Sequence, residues 1–275
     1  MMKAIVRRLV APAVLLVLAT VAPWTASANT QVTAAGSTAL LPLVIEAARL
    51  YHGEHPDVTL TITGGGSITG INSVAARMVD IGDSDVLASG HPELVDNRVA
   101  VVGFAIVANA SIGIRSLTNA QIRSIFSGKT TNWKDVGGPD QEIVVVNRPH
   151  SSGTRAVFTA TVMNGAVIKE SGVTEDSTQT IVKIVRQTPG AISYAALSGT
   201  TGMGLDLIAI DGVAPQEANI VTGKYPFWSY EHMFTRGPAR GEVARFIRFV
   251  EERHDLLAKY GYIRIAAMKV AEGDR

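Results

Sequence analysis

The sequence predicts an α/β protein. Short strand-like runs alternate with segments of helical periodicity along the chain, and no internal repeat or low-complexity segment interrupts the alternation. Three of the strand-to-helix junctions are Gly/Ser/Thr-rich turns: Gly36-Ser37-Thr38, Gly66-Ser67-Ile68-Thr69 and Ser151-Ser152-Gly153-Thr154. About 247 residues follow the apolar leader, enough for one large domain or two lobes of ordinary size.

Taken in order, Gln31–Ala35 reads as a short strand and Ala39–Tyr51 as a helix, with Leu40, Leu43, Val44, Ala47 and Leu50 at helical spacing. Val58–Thr63 alternates apolar and polar residues, as a half-buried strand does, and runs through the second turn into a helix ending near Met78. Val79–Gly82 is a brief strand leading to Asp83-Ser84-Asp85. The continuous apolar run Val99–Ala108 marks a strand buried on both faces. Leu117-Thr118 opens a helix capped by Thr118 or Asn119 and closed by Gly128. Ile143–Val146 is a buried strand feeding the loop Asn147–Thr154, and Arg155–Met163 is a helix. Thr178–Arg186 is helical, and Pro189-Gly190 turns into the strand Ala191–Tyr194. Lys224–Phe234 has strand character, and Gly241–Tyr260 reads as one long amphipathic helix.

The first residues bear on compartment. Lys3, Arg7 and Arg8 precede an apolar run from Leu9 to Val21, broken by Pro12, and Ala26-Ser27-Ala28 has the small-x-small pattern of a signal-peptidase site. Residues 1–28 are therefore expected to be a cleaved signal peptide, with Asn29 first in the mature chain. The run is shorter than the roughly 20 apolar residues of a membrane span. The absence of cysteine removes both a lipid-anchor site and disulfides, so a free periplasmic protein is expected. Removing the leader takes the basic count from 25 to 22 against 24 acidic residues, a mature charge near −2. General attraction to nucleic acid or to an anionic membrane needs a basic surface, so neither is an expected partner. Any anion must be held by local, directed groups.

The three turns are where such groups converge. A helix N-terminus exposes unpaired N–H groups and roughly half a positive charge, glycine lets the backbone approach closely, and Ser or Thr adds a hydroxyl. One turn alone is an ordinary N-cap. Three, each at the carboxyl end of an expected strand, lie where ligands gather in open α/β sheets. Arg148, four residues before Ser152, can fork onto two oxygens of a tetrahedral anion. Asp85 follows a short strand toward the same edge. A carboxylate beside an anion is tolerable only when the anion carries a proton, as phosphate does near neutral pH and sulfate does not. Alternatively, Arg148 is a surface ion pair and Asp85 a turn residue.

Other constellations are weaker. Asp80-Ile-Gly-Asp83-Ser-Asp85 lacks the downstream Glu of a calcium loop. His52 and His55 flank Gly53 and precede Pro56, which breaks zinc geometry, so no metal site is expected. His150-Ser151-Ser152 has no G-x-S-x-G elbow and no third orienting group, so no catalytic residue and no cofactor are assigned. Tyr225, Phe227, Trp228 and Tyr230 lack interleaved basic residues and read as core or hinge packing, and Trp133 reads as structural.

The segments GSTALLPLV, GGGSITGINSV, DIGDSD, LTNAQIRSIFSGKTTNWKDVGG, IVVVNRPHSSGTRAVF, TPGAISYAAL and GKYPF, with the late KYGYI, resemble the phosphate-binding components (PstS type) of phosphate ABC importers. The resemblance runs, with gaps, through nearly the whole mature chain. It implies a type II periplasmic-binding-protein fold: two α/β lobes, a ligand cleft between them and a two-strand hinge near Phe104–Ala108 and Tyr225–Tyr230. Residues 29–106 would begin lobe 1, 107–227 form lobe 2, and 228–275 return to lobe 1. The implied phosphate contacts are Ser37, Thr38, Ser67, Asp85, Arg148, Ser152, Gly153 and Thr154, with Asp85 accepting the ligand proton.

Two positions depart from the family pattern. His150 stands where many relatives carry an acid, which makes it a candidate modulator of selectivity, and Ile68 stands where glycine is usual. The implied partners are inorganic phosphate and the membrane permease subunits of the importer, and a monomer is expected. The alternatives are another tetrahedral oxyanion such as sulfate or arsenate, or an exported phosphate-ester hydrolase or adhesion protein on the same fold.

Overall fold

The computed structural model describes residues 29–170, 172–200 and 202–270; the expected signal peptide lies outside them. Strand β1 (Thr30–Gly36), helix α1 (Leu41–Glu54), strand β2 (Val58–Thr63), helix α2 (Ser67–Ala75) and strand β3 (Ile81–Ser84) form a βαβαβ start. β1 lies parallel between β2 and β3, as a crossover through a helix allows. The short β4 (Leu94–Val95) precedes β5 (Arg98–Asn109), whose residues beyond Arg98 are all buried, as its unbroken apolar sequence requires.

The chain continues through β6 (Ser116–Leu117), α3 (Asn119–Phe126), β7 (Val144–Asn147), α4 (Gly153–Phe158), β8 (Val173–Thr174), α5 (Thr178–Gln187), β9 (Ala191–Ala196), β10 (Leu205–Ile210) and α6 (Glu217–Val221). It closes with β11 (Trp228–Arg236), α7 (Gly241–Glu252) and α8 (His254–Lys259). The sheet order is β2-β1-β3-β11-β5-β9-β7-β8, with β10 also on β5.

β5 joins the two halves of the sheet. Its first residues pair antiparallel with β11 as far as Gly103, and from Phe104 onward it pairs with β9. At that change of partner the Phe104 amide donates to the Phe227 carbonyl (3.0 Å) and the two rings meet at 5.0 Å. Tyr225, Phe227, Trp228 and Tyr230 are buried there, as core packing predicts. Trp133 is buried, and its indole N–H donates to the Gly190 carbonyl (2.9 Å).

The remaining elements match expectation with shifted ends. Thr118 is the cap of α3: its hydroxyl accepts from the Gln121 amide while the Gln121 side chain accepts from the Thr118 amide. α2 stops before Met78 because Arg77 adopts a left-handed conformation. β11 starts four residues later than expected, beyond Pro226, which has no N–H to give a ladder.

The expected helix Gly241–Tyr260 is two helices, broken at Arg253. α7 buries Phe246, Ile247 and Val250. Continuing that stripe would drive Arg253 and His254 into the core; the break lets Leu256 and Leu257 take the buried places instead. The helix after Ser152 begins at Gly153 and widens into a π turn over Thr159–Met163, where the Thr159 and Thr161 hydroxyls donate to carbonyls four residues back. β4, β6, β8, β10 and α6 are additional to the elements expected.

Candidate functional site

The three glycine-containing turns converge. At the end of β1, Gly36 sits at φ +143°, and a Cβ there would lie 2.0 Å from the Asp83 carbonyl, so only glycine lets β1 and β3 approach this closely. That approach lets the Ser37 amide donate to the Asp83 carbonyl (2.8 Å). Ser37 Oγ accepts from the Ala39 and Leu40 amides (3.1 Å each) and donates to the Asp85 carboxylate. Thr38 Oγ1 accepts from Arg148 Nη2 (3.2 Å) and from the Thr178 amide (3.3 Å).

The second turn places Ser67 first in α2, its Oγ accepting from the Asp85 amide (2.9 Å). The Ile68 amide donates across to the Ser151 carbonyl (3.1 Å), so the second turn touches the third, while the Ile68 side chain points outward. In the third turn Ser152 caps α4 through the Arg155 amide (3.2 Å), and Thr154 Oγ1 donates to the second Asp85 oxygen (2.9 Å). Gly153 faces Ser67 so closely that a Cβ would lie 2.1 Å from Ser67 Oγ.

Arg148 stands over this cluster, fully buried. Its Nε donates to the Glu175 carbonyl (3.0 Å) and its Nη2 to the Asp176 carbonyl (2.8 Å), which fixes the plane of the guanidinium. Its Nη1 is buried with no hydrogen-bond partner. Burial pulls the guanidinium below its usual pKa, opposed by the negative charge of Asp85. Burial raises the Asp85 carboxyl, against hydrogen bonds from Ser37 and Thr154 and the positive charge of Arg148. The cluster is thus a buried set of directed hydroxyls, one cation with a spare N–H pair and the Asp85 carboxylate.

Seven of the eight residues singled out from the sequence, Ser37, Thr38, Ser67, Asp85, Arg148, Gly153 and Thr154, meet here; Ser152 is buried beside them as the cap of α4. His150 does not join them. Its side chain is 86% exposed and faces Glu170 at 3.6 Å, so it does not orient the Arg148 side chain. The link runs instead through Arg155, which holds Glu170 (2.6 Å) and donates to the Arg148 carbonyl.

Several residues at the site carry no sequence signal. Glu175 and Asp176 hold Arg148 through backbone carbonyls, which leave no trace in residue type. Two further carboxyls, Asp83 and Glu231, are fully buried near Asp85; burial first, and the neighbouring acids next, hold both well above the usual carboxylate range. The alternating pattern around Glu231 could have marked a buried acid only if the β11 register were known.

Residues 23–253 match the family model of the PBP superfamily domain. The chain is 41% identical over 251 residues to the phosphate-binding protein PstS of Bacillus subtilis, covering 88% of this chain and 83% of that one. Its fold superposes on a putative phosphate ABC transporter substrate-binding protein with bound phosphate from Clostridium perfringens at a TM-score of 0.80 and 28% identity, covering 86% of this chain and all of that one. An ABC-type phosphate transport receptor from Vibrio cholerae follows with TM-score 0.68 and 27% identity, at the same coverage. With this fold, these turns and these relatives, the chain belongs to the PBP superfamily and, within it, to the PstS-type phosphate-binding proteins.

Proposed function

We propose that this chain captures inorganic phosphate outside the cytoplasm and delivers it to the membrane permease of an ABC importer. It is a binding protein, not an enzyme. The observation that carries the reading is the meeting of Arg148 and the hydroxyls of Ser37, Thr38, Ser67 and Thr154 around Asp85 in one buried chamber.

A bound phosphate would take the Ser37 and Thr154 hydroxyls that now bond the carboxylate, and the spare Nη1 of Arg148. Its own O–H would donate to Asp85. That donation makes the carboxylate an attraction for a protonated anion and a repulsion for sulfate. Charge-assisted hydrogen bonds contribute roughly 1.5–3 kcal/mol each. A few of them, offset by closure and desolvation, reach micromolar binding, about −8 kcal/mol, without a basic surface.

Capture proceeds by closure: residues 29–106 with 228–275 form one lobe and 107–227 the other, hinged where β5 and the approach to β11 cross. Two contacts support this reading: the Ile68 amide on one proposed lobe donates to the Ser151 carbonyl on the other, and Arg148 Nη2 donates to Thr38 Oγ1. Among the described residues no helix is long and apolar enough to cross a membrane. The reading includes removal of residues 1–28 and a free periplasmic monomer. Equilibrium dialysis of the phosphate-stripped mature chain against labelled phosphate tests it: one phosphate retained per chain is expected, and none retained overturns it.

A further inference from the structure

Phosphate capture as described leaves two buried carboxyl groups unused. Asp83 and Glu231 are both fully buried; neither Asp83 oxygen has a hydrogen-bond partner, and the Glu231 carboxyl meets the Asp85 carboxylate alone. β3 and β11 run antiparallel with Met233 opposite Asp83 and His232 opposite Ser84. Carried on by one residue, that register sets Glu231 against Asp85, and the Ser229 hydroxyl two residues earlier holds the Asp85 carbonyl. The ligand-accepting carboxylate therefore has a second carboxyl behind it and a third beside it.

Charge decides what state these groups can be in. With all three ionised, the floor would carry three negative charges against the single positive charge that Arg148 brings to Asp85, at fully buried positions. An arriving anion would be repelled. With Asp83 and Glu231 neutral, Asp85 and Arg148 balance, and the spare Nη1 is free to act on the anion.

The titratable and charged groups facing Glu231 are Asp83 and Asp85 from β3 and the turn after it, Tyr262 from the segment after α8, and Arg148 across the cleft acting through Asp85. The Tyr262 hydroxyl donates to the Ala39 carbonyl and stays a neutral phenol. On β5 the residue opposite is Ala100, and the adjacent His232 is held by Asp96 (2.7 Å). A groove of about 630 Å³ lined by Val86, Leu87, Ala156, Trp228 and Ser229 brings solvent as far as Asp85, the residue set against Glu231.

We propose that Glu231 is a further specificity-determining residue of the phosphate site: it holds a proton opposite Asp85, and closure over the anion draws that proton from solvent when the open cleft has lost it. The inference rests on the phosphate reading. A group that binds its proton more tightly in the closed, anion-filled state favours capture at low pH, and that advantage is lost as pH rises. Ionisation of Glu231 thus makes the site refuse the anion, and its proton tunes the charge the site will accept.

The test is calorimetric titration with phosphate of the mature wild type, Glu231→Gln and Asp83→Asn from about pH 6 to 9, each in two buffers of different ionisation enthalpy. The ionisation of phosphate itself is common to all three proteins, so differences isolate the carboxyls. The wild-type dissociation constant is expected to rise at least about tenfold more across this range than that of Glu231→Gln, with more protons taken up per phosphate bound. Difference infrared spectra of the wild type alone, phosphate-bound minus free, are expected to gain a protonated-carboxyl band at alkaline pH. Equal pH slopes and equal proton counts, or no such band, with phosphate still bound, overturn the role of Glu231. A wild type that binds no phosphate at any pH overturns the phosphate reading instead.

Discussion

Gly153 is the position where a single methyl group tests the closed site. A Cβ there would lie 2.1 Å from Ser67 Oγ, 2.8 Å from Ser67 Cβ and 2.9 Å from Asp85 Cβ, where ordinary contact begins at 3.4 Å. Turning the Ser67 side chain away would relieve the first contact only by breaking its hydrogen bond to the Asp85 amide (2.9 Å), and would leave the two Cβ contacts in place. The third turn must therefore retreat by about an ångström, which stretches the Thr154–Asp85 and Arg148–Thr38 hydrogen bonds (2.9 and 3.2 Å) and misplaces the same donors for the ligand. Two charge-assisted bonds at roughly 1.5–3 kcal/mol each amount to about 3–6 kcal/mol. Gly153→Ala is predicted to weaken phosphate binding by about 10²- to 10⁴-fold in titration calorimetry. The nearest obstructing atoms belong to Ser67 and Asp85, across the cleft, and Gly153 is the first residue of α4, where alanine is well tolerated, so thermal unfolding is predicted to be near wild type. A Gly153→Ala protein that binds phosphate within about threefold of wild type would refute the closed-site geometry.

Arg148→Ala removes the guanidinium that spans Thr38, Glu175 and Asp176, and is predicted to weaken phosphate binding by at least about 2 kcal/mol, roughly 30-fold; unchanged affinity by calorimetry removes Arg148 from the site. Asp83 and Glu231 have carboxyls raised above their unfolded values, so the stability they allow is full below about pH 4 and is lost as pH rises toward their folded values. The melting temperature of Glu231→Gln is accordingly predicted to fall less between about pH 5 and 8 than that of wild type, and parallel curves would show that Glu231 bears no such cost. Thr118→Ala removes one side of the α3 capping box and is predicted to cost about 1 kcal/mol in denaturant unfolding, with phosphate affinity unchanged.

Much of this protein is legible in its sequence because the signals are local. β2 follows the alternation in Val58–Thr63, β5 the unbroken apolar run, and α3 the Thr-x-x-Gln box. The three glycine-containing turns are visible because glycine and hydroxyl residues recur together at strand ends. Features set by tertiary register are not legible. Glu231 is one charged residue in a run of strand character until β11 is paired with β3, and His150 looks like a cleft residue because it lies two positions from Arg148. The structure turns that side chain to Glu170 and solvent. The break at Arg253 is equally hidden, since helical periodicity continues across it and only the need to keep Arg253 and His254 out of the core stops the helix.

The most direct test of the central claim is titration calorimetry of the phosphate-stripped mature protein, at neutral pH, with phosphate and then with sulfate. Micromolar binding of phosphate with no response to sulfate, and loss of that discrimination in Asp85→Asn, is the predicted result, because the proposed role of Asp85 is to accept the proton that only phosphate carries. Sulfate binding comparable to phosphate in the wild type would contradict it.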